Sequence, residues 1–173
     1  MIRIAVLGLG NPVLRDDSVG LRVAEAVEAR LADQLPFPDV DVRVVQDEAG
    51  GWSVLDHVEG CQAMILIDAS TLEPMEPGEL RWYDGRALLS PRVGGPHSID
   101  LFSALELGRK LGMTVPDEVH VLGIGIEDAW TFSEEPGERV AAAVEPAADM
   151  VLARLGEIVA RVVVADRGIV PVD

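Results

Sequence analysis

The sequence predicts an α/β fold: a single domain of three layers, α/β/α, around a mostly parallel twisted sheet of about five strands. Short β-branched apolar runs alternate along the chain with longer segments of helical periodicity. Such alternation requires right-handed crossovers, which place helices on both faces of a parallel sheet. No repeat or linker divides the 173 residues, so we expect residues 1–173 to form one domain, with a flexible tail from about residue 164.

The first elements follow from the apolar pattern. The run from Ile2 to Leu7 predicts a buried strand, which Gly8-Leu9-Gly10 closes. A helix should begin near Asp17, because apolar residues recur every four positions from Val19 to Leu31. The next predicted elements are an alternating strand at 40–44, a short helix at 51–58 and a continuous apolar strand at 63–68, typical of a sheet centre.

The second half continues the same pattern. Leu80 to Tyr83 predicts an edge strand, and Ser98 is placed to cap a helix that turns Leu101 and Leu105 inward. Val119 to Ile126 predicts another strand. Two further interpretations concern the end of the chain: a helix starting at Ser133, and a last helix that restarts at Pro146 in its first turn and runs toward Val162.

Charge and cysteine usage exclude several classes of protein. The chain has 30 acidic and 14 basic residues, a formal net charge of −16, which disfavours nucleic acids and anionic membranes and suits cationic partners. Cys61 is the single cysteine, so no disulfide or cysteine-based metal site can form, and we interpret it as a buried side chain. With neither a signal peptide nor a long apolar stretch, a soluble cytoplasmic protein is expected.

Two groups of acids follow predicted strands, at the edge where parallel sheets bind ligands. Asp16 and Asp17 come after the glycine turn, and Asp68 directly follows the central strand. One acid is enough to cap a helix and the second is free to face the crevice, but the residues alone favour capping over a site. For Asp68, a local turn and a functional site are equally favoured.

His97 is the third candidate, in a loop after Gly94-Gly95-Pro96. A lone histidine is more often structural or solvated than functional. Asp17, Asp68 and His97 together would nevertheless supply two carboxylates and one imidazole, a set that can bind a divalent first-row metal and leave positions open. The residue types do not distinguish cobalt, nickel, zinc and manganese.

In this order and combination, the motifs resemble the hydrogenase maturation endopeptidases. That family opens with a strand running into Gly-x-Gly-Asn, then a pair of acids and a glycine, which match Gly8 to Asn11, Asp16-Asp17 and Gly20. Its acid after the third strand matches Asp68, and its histidine before a Leu/Ala-rich helix matches His97. Where many members have a Gly-Thr stretch, this chain has Asp47-Glu48, which we interpret as solvated loop residues.

The resemblance implies an endopeptidase that trims the C-terminal extension from the precursor of a [NiFe]-hydrogenase large subunit. Asp17, Asp68 and His97 would contact nickel that the substrate itself supplies, and Gly10 and Asn11 would contact the substrate. Asp17 and Asp68 are also the implied catalytic residues: one carboxylate could activate water as a general base, or both could serve only to recognise nickel. A monomer is expected.

Three alternatives remain open at the level of sequence. A non-catalytic nickel-dependent assembly checkpoint would use the same ligands without cutting. A peptidyl-tRNA hydrolase also begins with a Gly-Leu-Gly-Asn-Pro turn, but the required His-Asn pair is replaced by Asp16-Asp17-Ser18, and the charge opposes tRNA. A dinucleotide site is disfavoured, because Val13 stands at the third glycine position and the acids would repel a pyrophosphate.

Overall fold

The computed structural model describes residues 1–32, 39–70, 74–85 and 96–166, without the side chains of 96–100 and 165–166. Within these residues the chain forms one five-stranded sheet, in the order β2-β1-β3-β5-β4. The strands are β1 (Ile2–Leu9), β2 (Val40–Asp47), β3 (Ala63–Ser70), β4 (Leu80–Asp84) and β5 (Glu118–Gly125). Only β4, at one edge of this sheet, is antiparallel to its neighbour.

Helices cover both faces of the sheet. They are α1 (Val19–Ala32), α2 (Val54–Val58) after a short 3-10 turn (Gly51–Ser53), α3 (Pro96–Lys110) and α4 (Glu138–Asp166). One hydrophobic core joins α1 and α4 to one face of the sheet, through residues such as Ile4 and Val23. The other joins α2 and α3 to the opposite face, through Leu7, Leu66 and Leu101. The predicted three-layer α/β/α fold with a mostly parallel sheet is therefore confirmed.

The alternation of side chains explains why the central strands are apolar on both sides. Along β1, Ile4 and Val6 enter the first core, while Ala5 and Leu7 enter the second. Cys61 is buried in the second core, and this burial raises the pKa of its thiol. The prediction of a buried rather than reactive cysteine is thus confirmed.

The prediction that a last helix starts at Pro146 is wrong, because α4 runs without interruption from Glu138 to Asp166. Pro146 is exposed, and so is Ala142, whose carbonyl loses its helical partner at the proline. The neighbouring Ala143 and Ala147 are buried and hold the helix against the sheet.

Two predicted helix starts are also wrong. Ser133 lies in a loop, where its hydroxyl accepts the N–H of Glu135 in a local turn at 3.1 Å, and the helix begins at Glu138. Helix α3 begins at Pro96, before Ser98, since a proline is well suited to the first helical position. His97 consequently lies in the first turn of α3, not in the loop ahead of it.

The C-terminal end of the predicted domain is described only in part. Helix α4 extends to Asp166, beyond the expected end near Val162. The rest of the predicted flexible tail, residues 167–173, lies outside the described residues. Among the described helices, none combines the length and apolar character that crossing a bilayer requires.

Candidate functional site

The candidate site lies at the carboxyl ends of β1 and β3, where the order of the strands reverses. Strand β2 lies on one side of β1 and β3 on the other, so crossovers leave this point in opposite directions. Leu9 pairs with Asp47 of β2, and Gly8 pairs with Ile67, the residue before Asp68. Both acids therefore stand at the same edge of the sheet.

Glycines bring the start of α1 into contact with this edge. A β-carbon on Gly20 would lie 2.2 Å from the carbonyl oxygen of Leu9 and 2.6 Å from that of Ile67. At Gly10, with φ of 152°, a β-carbon would lie 2.0 Å from the carbonyl oxygen of Asp17. Larger residues at these positions would push the Asp17 turn away from the ends of β1 and β3.

Asp16 is a structural residue. Its side chain is buried and accepts three backbone N–H groups from a distant loop: those of Glu127 at 3.1 Å, Asp128 at 2.9 Å and Gly137 at 2.7 Å. A carboxylate satisfied by three donors ties the loop after β5 to the turn before α1. The sequence interpretation of Asp16 as a helix cap is wrong, since its bonds cross to another part of the chain.

Asp17 is only half-buried and faces the crevice. Its Oδ2 accepts one backbone N–H, from Asn11 at 3.0 Å, and in the described hydrogen bonds it caps no N–H of α1. Asp17 lines a cavity of about 90 Å³ together with Gly10, Asn11 and Asp47. A phosphate in the glycine turn would have to compete with this carboxylate for the N–H of Asn11, and the two negative charges would repel each other. This arrangement further disfavours a nucleotide site.

Asp68 lies where its ionised, negatively charged form is disfavoured. Burial first, and then the carboxylate of Asp17, raise the pKa of Asp68 to about 7, against a smaller opposing effect of the Ala69 N–H. By its accessible surface Asp68 is half-buried. The charge of Asp17 contributes to this shift, so the two predicted acids lie within range of each other's charge. At neutral pH Asp68 is then divided between its protonated and charged forms.

Asp47 was missed by the sequence interpretation, which treated it as a solvated loop residue. Its side chain is buried, with Oδ1 accepting the N–H groups of Ala49 and Gly50 and Oδ2 accepting the Ser53 hydroxyl at 2.7 Å. Burial alone would raise its pKa, but these bonds, the one from Ser53 foremost, hold the pKa of Asp47 below its usual value. Its position directly at the end of a strand was the signal available in the sequence. Glu48, in contrast, is exposed as predicted.

His97 can be placed by its backbone only. The far end of α3 lies at the amino edge of the sheet, where Thr114 accepts the N–H of Gly60. The first turn of this 15-residue helix, with His97, therefore lies toward the opposite edge, where the acids are. Its side chain is outside the described residues, so its predicted role as a ligand stays a prediction.

The described part of the site offers two nearby carboxylates that repel each other. A cation between them would relieve this repulsion, which is the chemistry that the predicted metal set requires. Among the described residues, no group of three His, Cys, Asp or Glu side chains could hold a metal.

Comparison with known proteins gives consistent matches. Residues 21–154 match the family described as hydrogenase maturation protease, a segment that includes Asp68 and His97 and begins after Asp17. The hydrogenase 2 maturation protease of Escherichia coli is 31% identical over 163 residues, which cover 90% of this chain and 92% of that protein. The hydrogenase expression/formation protein HoxM of Azotobacter vinelandii is 27% identical and covers 89% of this chain, over 72% of its own length.

Solved structures show the same architecture. The hydrogenase maturating endopeptidase HybD from Escherichia coli superposes with a TM-score of 0.73 at 27% identity, over 90% of this chain and 93% of that one. A hydrogenase 2 maturation peptidase from a Thaumarchaeota archaeon has a TM-score of 0.61 at 27% identity, over 89% and 98% of the two chains. HybD from Thermococcus kodakarensis, at 22% identity and a TM-score of 0.65, supports the fold alone, over 87% and 97% of the two chains.

Proposed function

Because this chain belongs to the hydrogenase maturation protease family, we propose that it is an endopeptidase that removes the C-terminal extension from a nickel-loaded precursor of a [NiFe]-hydrogenase large subunit. The observation that carries the proposal is the pair of carboxylates at the switch point of the sheet. Burial first, and then the charge of Asp17, raise the pKa of Asp68 there to about 7. We also propose that the protein acts as a monomer in the cytoplasm.

Recognition in this proposal depends on nickel that the substrate brings. The metal, already held by the precursor, takes the carboxylates of Asp17 and Asp68 and the imidazole of His97 as further ligands. This requirement makes the protease selective for a correctly loaded precursor, because an empty one leaves the two acids in unrelieved repulsion. Gly10 and Asn11, which line the cavity beside Asp17, contact the peptide that is bound there.

Hydrolysis then needs a base near the scissile peptide bond, and Asp68 suits that task. In the free protein the pKa of Asp68 is about 7, so its carboxylate is a stronger base than that of an exposed aspartate. For this step Asp68 acts as the base in place of its contact with nickel, because coordination would lower that pKa. Its carboxylate takes a proton from water as the water oxygen attacks the peptide carbonyl. The same proton passes to the departing amine when the C–N bond breaks, which leaves a new carboxyl terminus and a released tail.

Intact-mass measurement of a large-subunit precursor, with and without nickel, tests the proposal. We expect loss of a C-terminal peptide from the nickel-loaded form alone. Asp17→Asn and Asp68→Asn should each abolish this loss, while Asp117→Asn, a change at an almost fully exposed acid, should leave it intact. Cleavage of the empty precursor at the same rate would contradict the role of nickel.

Precursor binding separates the two roles of the acids. If Asp68→Asn still binds the nickel-loaded precursor but does not cut it, Asp68 acts in catalysis. If binding is lost as well, Asp68 acts first in recognition. Nickel-dependent binding by the unaltered protein with no change of mass would overturn the peptidase proposal in favour of an assembly checkpoint.

A further inference from the structure

The loop after β5 presents large apolar side chains to solvent. Trp130 and Phe132 are each 82% exposed, and Val13, on the adjoining turn, is 49% exposed. We call residues 128–133 the aromatic loop. Exposed tryptophan and phenylalanine side chains this close together are unusual on a surface that has no partner, and aromatic residues are enriched where proteins bind one another.

The aromatic loop is held in place by the chain on both sides of it. Its backbone bonds the turn before α1 at three points: the N–H of Arg15 donates to Thr131, that of Asp16 to Asp128, and that of Ser133 to Val13. Within the loop, Oδ1 of Asp128 accepts the N–H groups of Trp130 and Thr131 at 3.0 and 2.9 Å.

The buried carboxylate of Asp16 adds bonds to the N–H groups of Glu127 and Asp128. Held at this many points, the backbone of the aromatic loop is preorganised, so binding costs little backbone conformational entropy.

This surface is continuous with the candidate active site. Phe132 forms an isolated antiparallel bridge with Leu14, and bridged residues direct their side chains to the same face. Leu14 in turn lines the cavity that contains Asp17. Among the described residues, Leu14 thus connects the cavity at Asp17 to the aromatic loop.

The charge around the loop indicates what kind of segment it fits. Residues 127–135 contain four acids, Glu127, Asp128, Glu134 and Glu135, against two cations that the adjoining turn and helix bring, Arg15 and Arg22, so the surroundings of the loop have a net negative charge. We call these acids the acidic rim of the loop. Basic residues of a partner would be attracted to it, and acidic residues would be repelled.

We propose that the aromatic loop is the docking surface for an apolar segment, flanked by basic residues, of the large-subunit precursor. The segment lies next to the peptide that is cut, and Trp130 and Phe132 anchor it. This inference rests on the proposed function, since it takes the precursor as the occupant of the adjoining site. Binding by the loop adds affinity for the precursor in its ground and transition states alike, and so affects KM more than kcat.

Cleavage kinetics of a double variant test the proposal. We expect Trp130→Ser combined with Phe132→Ser to raise KM for the nickel-loaded precursor by about tenfold or more, with kcat within about twofold. The matched control is Leu111→Ser, which removes an exposed apolar side chain, 68% accessible, beyond the end of α3 and away from the acids. KM of the unaltered protein should also rise with ionic strength, because salt screens the attraction of the acidic rim.

An unchanged KM in the double variant, or an equal rise in the Leu111→Ser control, would overturn the docking surface while leaving the peptidase intact. A KM that is independent of salt would overturn the basic character of the segment. Absence of cleavage by the unaltered protein would instead overturn the proposed function, so the two failures are distinguishable.

Photo-crosslinking keeps the proposal testable if the double variant does not fold. A photoreactive phenylalanine analogue at position 132 should crosslink to the precursor, and one at position 111 should not. Crosslinks from position 132 to a second copy of this chain would show a self-association surface and refute the proposal.

Discussion

Replacing Asp16 by asparagine is expected to destabilise the protein by about 3 kcal/mol, although the two side chains have nearly the same size and shape. The carboxylate accepts the N–H groups of Glu127 and Asp128 on one oxygen and that of Gly137 on the other. Asparagine has one acceptor oxygen, so its NH₂ group would face the N–H of Gly137, and the remaining two bonds would become neutral. A buried donor left unsatisfied costs about 1–3 kcal/mol, and bonds to charged groups are the stronger ones.

Urea and thermal unfolding measure this effect. For a chain of 173 residues, a loss of about 3 kcal/mol corresponds to a decrease in Tm of about 6–12 °C. The matched control is Asp17→Asn, because Asp17 is half-buried and accepts a single N–H, from Asn11. That variant should lose about 1 kcal/mol or less. Equal losses in the two variants would refute the division of the acidic pair into a structural and a site residue.

Three further predictions concern single residues elsewhere in the fold. The pKa of Asp68 is raised from 3.8 to about 7, so between these pH values the folded protein keeps a proton that the unfolded chain loses. The free energy of unfolding should therefore fall by about 1 kcal/mol for each unit that the pH rises in this window. Asp68→Asn should flatten this slope in urea titrations at several pH values. Gly10→Ala should lower both stability and precursor cleavage, because its β-carbon would collide with the Asp17 carbonyl oxygen; unchanged melting would contradict the geometry. Pro146→Ala should increase the free energy of unfolding by about 1–3 kcal/mol, because it restores the helical bond to the carbonyl of Ala142; a decrease on urea unfolding would count against an uninterrupted α4.

The elements that sequence predicted well are those whose burial is periodic. All five strands occur where apolar or alternating runs placed them, and the predicted inward face of α1 is buried at Val19, Val23 and Val27. The errors occurred at helix starts. Ser133 and Pro146 carry local signals for a start, but the packing of Ala143 and Ala147 against the sheet decided where α4 runs.

At the site, the sequence predicted that the acids lie at one edge of the sheet, but it could not show which of them are structural and which face the cavity. Asp16 and Asp17 are adjacent acids that no pattern distinguishes. One is buried under a loop more than a hundred positions away, and the other faces the cavity. Asp47 looked like a solvated loop residue because the hydroxyl and the two N–H groups that it accepts become its partners only when the turn after β2 forms.

The sequence by itself determined the layered fold, the edge of the sheet where chemistry is expected and the family, because hydrophobic periodicity and ordered motifs are local properties of the chain. Tertiary structure alone decided which acids are buried, which of them interact, and that the aromatic loop adjoins the cavity at Asp17. Burial, hydrogen bonding and repulsion between carboxylates depend on distances in space. Those distances are set when the glycine turn, α1 and the loop after β5 pack together.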